Sequence, residues 1–394
     1  MSVPLQEPPL SLYVHLPWCV RKCPYCDFNS HAAPALIPYA QYIDALLQDL
    51  DLDLEQMTAR PLTSIFFGGG TPSLFTPDHI GRFLDGVRSR LGCVADMEVT
   101  LETNPGTIEH GRFTGYRDAG VTRVSLGAQT FSEPHLQLLG RIHGADEIRR
   151  AVDELASAGL TNFNLDLMYG LPQQTRQQAL DDVAAAIALN PQHISHYQLT
   201  LEPGTVFFHR PPPLPEHDET WEMQLECQAL LEAHGYAQYE ISGYARPQRR
   251  CRHNLNYWQF GDYLGIGAGA HGKLTIAGEG RIVRTERVHH PRDYLSRSPE
   301  SRMKNRRSIE PGDRAFEYML NTLRLLEGFS IQHFEMRTGL PAAALAEVLE
   351  SARRKNMLEQ IDSDWWRPTT LGLQFLNELQ GLFLPETGVP TDAG

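Results

Sequence analysis

The stretch that decides the fold is Leu12-Tyr13-Val14-His15-Leu16-Pro17-Trp18-Cys19-Val20-Arg21-Lys22-Cys23-Pro24-Tyr25-Cys26-Asp27-Phe28. Its first five residues form an apolar run that reads as a buried strand. The loop that leaves this strand carries Cys19, Cys23 and Cys26 in the spacing C-x3-C-x2-C. That spacing brings three thiolates together. A structural zinc ion closes its tetrahedron with four ligands, and a [4Fe-4S] cluster ordinarily takes one cysteine per iron. Three cysteines leave one iron open to an exogenous ligand, which a reactive cluster requires. A zinc site with a distant fourth ligand is the competing reading. Arg21 and Lys22 within the loop favour the thiolate form, and Pro17 and Pro24 stiffen it. Cys93 and Cys227 have no such spacing and read as ordinary thiols, and Cys251 is likewise isolated in sequence.

Outward from this loop, strands alternate with helices. Strands are expected at 11–16, 63–67, 97–103, 121–129, 161–169 and 192–201. Helices are expected at 39–57, 78–91, 108–119, 133–159 (two stretches) and 175–189. In the first of these, Tyr42, Leu46, Leu47 and Leu50 share an apolar face. Six strand-then-helix repeats with short links predict a parallel sheet wrapped by helices, as a barrel or a doubly wound sheet. Past residue 205 the pattern changes. Arg210-Pro211-Pro212-Pro213-Leu214-Pro215 reads as a polyproline-like spacer, followed by a helix at 217–234 and an aromatic-rich stretch from Tyr236 to Tyr263. The Arg- and His-rich residues 276–310 read as an exposed connection. Helices at 314–326, 330–336, 342–355 and 370–382, with a hairpin at Trp365-Trp366, predict a mainly helical, winged-helix-like domain. The expected division is 10–205, 206–310, 311–385 and a disordered tail at 386–394.

Composition narrows the function classes. The 394 residues are 41% hydrophobic, enough for a full core, and the net charge of −13 argues against non-specific nucleic-acid binding. No apolar run approaches a transmembrane span, and Met1 to Pro9 lacks a signal-peptide core. Six scattered cysteines in so long a chain make no disulfide framework, so a cytoplasmic location is expected.

Polar residues at the strand ends are the second functional signal. Gly68-Gly69-Gly70-Thr71-Pro72 follows one strand directly, and glycine there lets backbone approach a ligand closely, although a lone triplet is more often a tight turn. Glu102 in Leu-Glu-Thr-Asn-Pro, Gln129 in Leu-Gly-Ala-Gln and Asp166 in Asn-Leu-Asp-Leu-Met end or interrupt three successive strands. A charge among buried apolar neighbours costs several kcal/mol unless paired. Three such residues in series point to a shared pocket.

The segments Tyr13 to Cys19 and Cys26-Asp27-Phe28 resemble the radical S-adenosylmethionine (SAM) superfamily and its coproporphyrinogen-oxidase-like branch, nearest the HemW haem chaperones, over about residues 10 to 385. The resemblance implies a partial (β/α)6 barrel, with Cys19, Cys23 and Cys26 as ligands of a [4Fe-4S] cluster. It implies that Tyr13 and Tyr25 flank the cluster beside SAM, and that Gly69, Gly70 and Thr71 contact the SAM amino-acid end. Glu102, Gln129, Arg141 and Asp166 are similar to residues that fix the amino acid and ribose, and a guanidinium suits a carboxylate. Leu264 to His271 is expected near the adenine or the mouth of the site. Reduction of SAM at such a cluster yields methionine and a 5′-deoxyadenosyl radical.

Two departures separate the chain from the oxidases. They carry a further cysteine where Phe28 stands, and a longer amino-terminal extension than the twelve residues before Tyr13. His253-Asn254-Leu255-Asn256-Tyr257-Trp258 is similar to the H-N-x-x-Y-W signature of HemW proteins, with His253 the expected haem ligand and Cys251 its rival. The resemblance thus implies a protein that binds haem as cargo and delivers it to acceptor haemoproteins such as respiratory enzymes. A homodimer is compatible with it. The alternative is a radical SAM enzyme of the oxygen-independent coproporphyrinogen III oxidase type.

Overall fold

The computed structural model describes residues 3–106 and 111–385. One mixed sheet of twelve strands organises the molecule among these residues. Its first half is β1 (Leu10–Leu16), β2 (Leu62–Gly69), β3 (Cys93–Thr103), β4 (Arg123–Gln129), β5 (Phe163–Tyr169) and β6 (His193–Gln198), all parallel neighbours in chain order. Helices Tyr39–Leu54, Pro77–Arg88, Phe113–Ala119, Ala145–Ser157 and Arg176–Ala188 make the crossovers. Both faces of β1 are buried, Leu12 and Val14 on one and Ser11 and His15 on the other, as a parallel strand covered on each side requires. The helix at 39–54 packs Tyr42, Leu46 and Leu50 inward, the face expected from their spacing. Thr175 caps 176–188 by accepting from the Gln178 N–H.

The second half completes the same sheet. Strands β7 (Ala237–Gln238) and β8 (Gly243–Ala245) add antiparallel beyond β6. At the other edge β9 (Asp262–Ile266) pairs parallel with β1, followed by the antiparallel run β10 (His271–Ile276), β11 (Arg281–Arg287) and β12 (Met303–Ser308). Residues 276–310 are therefore not an exposed connection. Ile282, Val283, Tyr294, Arg287 and Arg302 are buried, and the two arginines belong to an internal ion-pair network, while Arg292, Arg297, Arg306 and Arg307 stay at the surface. Arg287 meets Asp53 at 2.7 Å and Asp49 at 3.5 Å, Arg302 lies 3.7 Å from Asp49, and the Tyr294 hydroxyl donates to Asp49 at 2.6 Å. Burial outweighs the two arginines and raises the Asp49 carboxyl. Asp53 is pushed up to about 6 for the same reason.

The C-terminal region is largely helical. Helices Pro311–Thr322, Ile331–Thr338 and Ala346–Arg354 surround a small sheet of Phe329–Ser330, Trp365–Pro368 and Leu358–Gln360. Its core joins Phe334, Leu349 and Leu379 to Leu5, Phe260, Ile282 and Ile309, so it is fastened to the large sheet by apolar packing. Several element ends differ from expectation. The helix at 39 stops at Leu54, that at 108–119 is described only from Phe113, and 370–382 divides at Phe375, whose backbone leaves the helical region. The tail expected at 386–394 lies outside the described residues. No described helix is long and apolar enough to cross a membrane.

Candidate functional site

The carboxyl ends of β1 to β6 open onto one cavity of about 470 Å³, the position where parallel α/β sheets bind ligands. Cys19, Cys23, Tyr25 and Cys26 form one wall. Gly69 ends β2 and Gly70 and Thr71 follow it, and Glu102, Gln129, Arg141 and Asp166 line the floor and far side. The topology thus gathers eleven of the thirteen expected site residues around one space, from positions 19 to 166 in the chain. Tyr13 and His253 are not on its lining.

The glycine turn is fastened to the cysteine loop. Gly70 N–H donates to Leu16 O and Thr71 N–H to Trp18 O, both at 2.8 Å, while Gly69 N–H donates to Glu102 Oε2 at 3.2 Å. Gly69 has φ +115°, and a Cβ on Gly70 would stand 2.6 Å from Trp18 O. Only glycine allows that approach. Because the three N–H groups are engaged, the turn's backbone can meet a ligand with acceptors and not with donors, which suits an ammonium.

The floor is a chain of buried polar groups. Arg141 donates to Asn104 Oδ1 at 2.5 Å and to Gly127 O at 2.9 Å, and its Nη1 lies 3.6 Å from Cys23 Sγ. Its Nε is buried without a partner in the protein, as a group awaiting an acidic ligand would be. Asp166 accepts from Asn164 at 2.7 Å and Ser125 at 3.1 Å, yet burial still raises its carboxyl. Gln129 adopts a left-handed backbone (φ 69°) at a register shift and accepts from the Tyr197 hydroxyl at 2.8 Å, which fixes its amide. Asn104, Ser125, Asn164 and Tyr197 were not singled out in the sequence. Asn104 stands in the quoted Leu-Glu-Thr-Asn-Pro and was within reach of that reading.

Burial, reinforced by Asp166, pushes the Glu102 carboxyl up to about 8. The folded protein therefore keeps a proton that the unfolded chain releases near the ordinary carboxylate value. The Glu102 contribution to stability falls as pH rises from about 4.5 to about 8, then levels off. Glu102→Gln removes this slope. In urea titrations at pH 5 and pH 8.5, the variant should gain on the parent at the higher pH; an equal difference at both values would exclude the raised carboxyl.

The thiols differ from expectation. Burial raises Cys19 and Cys26, and at Cys26 it outweighs the lowering by Lys22, whose ammonium is turned to Phe28 O and Ser30 O. Loop charge alone does not hold these sulfurs as thiolates, so deprotonation must accompany metal binding. The three sulfurs are spread more widely than ligands of one ion. Among the described residues, the one set of ligand atoms all within 4.8 Å is His271, Glu286 and His289. There Lys304 already donates to Glu286 at 2.7 Å and stands 3.2 Å from His289 Nε2, so an ammonium fills the cation's place.

Three expectations fail on geometry. His253 is buried, with Ser64 Oγ 3.1 Å from Nδ1 and the Tyr257 hydroxyl 3.1 Å from Nε2, and it stacks on Phe66. Neither ring nitrogen is open to iron, and burial lowers the ring's proton affinity to about 3. Cys251 is buried against Glu98 and its thiol is pushed up to about 12. From the same segment, Asn254 and Trp258 do reach the cavity. Leu264 to His271 is absent from the cavity and instead packs on β1, where a Cβ at Gly267 would meet His15 O at 2.4 Å. Tyr13 lies one layer below, its hydroxyl 3.0 Å from His15 Nδ1 and its ring against Gly68 and Phe66.

The family models place these features. The Radical SAM superfamily model matches residues 13–186, and that of the HemN C-terminal domain matches 309–375. "Heme chaperone HemW" of Escherichia coli is 49% identical over 379 residues, covering 96% of this chain and 99% of that protein. The protein of the same name from Haemophilus influenzae is 50% identical over 383 residues, with 96% and 99% covered. The solved structure of coproporphyrinogen III oxidase (HemN) from Escherichia coli shares the fold, with TM-score 0.80 over 96% of this chain and 90% of that one at 22% identity. With a near full-length match at this identity and a cysteine loop, glycine turn and polar floor around one cavity, the chain belongs to the HemW family of the radical SAM superfamily.

Proposed function

We propose that this protein is a haem chaperone, binding haem as cargo and passing it to acceptor haemoproteins in the cytoplasm. The observation that carries the reading is the near full-length identity to proteins named heme chaperones. Phe28, exposed at the cavity rim where the oxidases have a further cysteine, adds to it. The parallel half of the sheet reads as a partial (β/α)6 barrel spanning 10–205, the segment 206–310 as its extension and 311–385 as a winged-helix-like partner-binding domain.

Membership of the superfamily implies iron–sulfur and SAM use. Cys19, Cys23 and Cys26 would hold a [4Fe-4S] cluster, and Tyr25 would cover its edge. Gly69, Gly70 and Thr71 would receive the SAM ammonium, Arg141 its carboxylate, and Glu102, Gln129 and Asp166 the rest of the amino acid and the ribose. Tyr13 supports this layer from beneath. When bound, the pair supplies one-electron cleavage of a carbon–sulfur bond. The chain's own part is to orient the ligand, exclude water and keep Glu102 and Asp166 desolvated.

Asp166→Ala and Arg141→Ala should weaken SAM binding about tenfold to a hundredfold, the loss of a charge-assisted hydrogen bond worth roughly 1.5–3 kcal/mol. Asp166→Ala is the cleaner variant, since Arg141 also touches Cys23. Unchanged dissociation constants in both would move the SAM site elsewhere.

The chaperone reading is tested by transfer. Anaerobic protein loaded with hemin should convert an apo-haemoprotein to its holo form. The same protein with SAM, reductant and coproporphyrinogen III should yield no protoporphyrinogen. Stoichiometric protoporphyrinogen and carbon dioxide would instead make it an oxidase, the reading that the shared HemN fold favours.

A further inference from the structure

A second concavity lies on the outer side of the cysteine loop. Strand residues Trp18-Cys19 pair in parallel with His31-Ala32, so the backbone that carries Cys19 toward the SAM cavity also forms the edge of an outer groove of about 690 Å³. That volume falls within the roughly 300–1,000 Å³ of small-molecule sites. Leu36, 84% exposed and flanked by Pro34 and Pro38, stands on one side, and Leu295 on the other. An apolar side chain so exposed contributes nothing to the fold's own core.

The polar groups in this groove form a particular set. His31 Nε2 lies 3.0 Å from Asn29 Oδ1, and the Asn29 amide nitrogen already donates to Ala268 O and His289 O. Asn29 Oδ1 must therefore accept, the proton sits on His31 Nε2, and Nδ1 keeps its lone pair. Nδ1 has no hydrogen-bond partner among the described residues and is not a buried orphan. Burial and the neighbouring His290 also favour the neutral ring. The His290 ring meets His31 edge-on at 5.1 Å. Its Nδ1 accepts from Arg292 N–H at 3.2 Å, which leaves Nε2–H as a donor. The exposed Arg292 guanidinium enters no ion pair among the described residues.

We infer that this groove is where the cargo haem sits, with His31 Nδ1 as the iron's ligand, the apolar walls against the porphyrin face and Arg292 on a propionate. The inference rests on the chaperone reading and adds a location to it. Haem combines an iron that takes imidazole, a broad apolar face and two carboxylates, and the groove offers a counterpart to each. The site is open at the surface, as release to an acceptor requires, whereas His253 is sealed beneath the sheet.

Hemin titration of the anaerobically reconstituted full chain tests this. His31→Gly should lose the parent's Soret position and bind hemin at least about tenfold more weakly, and excess imidazole should restore both. Arg292→Ala should weaken hemin about tenfold while binding hemin dimethyl ester like the parent. Cluster absorbance and SAM affinity should be unchanged in both variants. Parent-like spectra and affinity in His31→Gly, or a loss that imidazole does not restore, would overturn the groove and leave the chaperone reading intact. A parent with no saturable hemin binding would overturn both.

Discussion

Cys23→Ala should leave anaerobically reconstituted protein without iron and sulfide, as should Cys19→Ala and Cys26→Ala, whereas Cys93→Ala and Cys227→Ala should keep a full cluster. The effect is expected to be all or none. Burial holds Cys19 and Cys26 as thiols until metal displaces their protons, so each ligand's contribution is drawn from the assembled cluster. Two remaining sulfurs cannot anchor a cube that already lacks a fourth protein ligand. Cys227 is buried in the main core and Cys93 is half-buried at the start of β3, both remote from the cavity lining. Metal and sulfide analysis of the five variants reads the result directly. Full occupancy in Cys23→Ala would remove this cysteine from the ligand set.

The largest stability effect should come from a residue far from this chemistry. Asp49 sits in the helix at 39–54 and faces Arg287 and Arg302, which arrive about 240 and 250 positions later in the chain. Asp49→Ala leaves Arg287 with Asp53 as its one carboxylate and Arg302 with the carbonyls of Ala45 and Tyr294. Breaking a buried pair by removing one partner costs about 3–5 kcal/mol, because the remaining charge stays desolvated. The urea midpoint should fall accordingly. Asp49→Asn should lie between parent and Ala variant, because it keeps the hydrogen bond from Tyr294 and loses the charge. A loss below about 1 kcal/mol in Asp49→Ala would mean that water reaches the network.

The first half of the sheet was legible because its signals are local. Most of the strands β1 to β6 carry apolar runs and are separated by helices with their own periodicity, and each crossover closes between sequence neighbours. The cysteine spacing, the Gly68–Thr71 turn and the polar strand ends are legible for the same reason. A parallel sheet delivers consecutive strand ends to one side, so a list of such ends is already a list of pocket walls. The segment 276–310 was not legible. All its arginines look solvated in sequence, and only pairing with Asp49 and Asp53, more than two hundred residues away, makes the burial of Arg287 and Arg302 possible.

By itself, then, the chain's sequence determined the cysteine triad, the order of the parallel strands and most of the cavity wall, because each depends on contacts or periodicities within a few dozen residues. Tertiary structure alone decided the fate of the histidines. His253 lies in a motif that suggests a ligand, but packing against Phe66 and hydrogen bonds at both nitrogens take it out of reach of iron. His31 carries no motif. It becomes a candidate ligand because Asn29 Oδ1 accepts from its Nε2–H, leaving the Nδ1 lone pair free, and the residue at 290 is folded back against it, a juxtaposition of segments some 260 positions apart. Which nitrogen keeps its lone pair is set by the partner of the other, and that partner is visible only once the chain has folded.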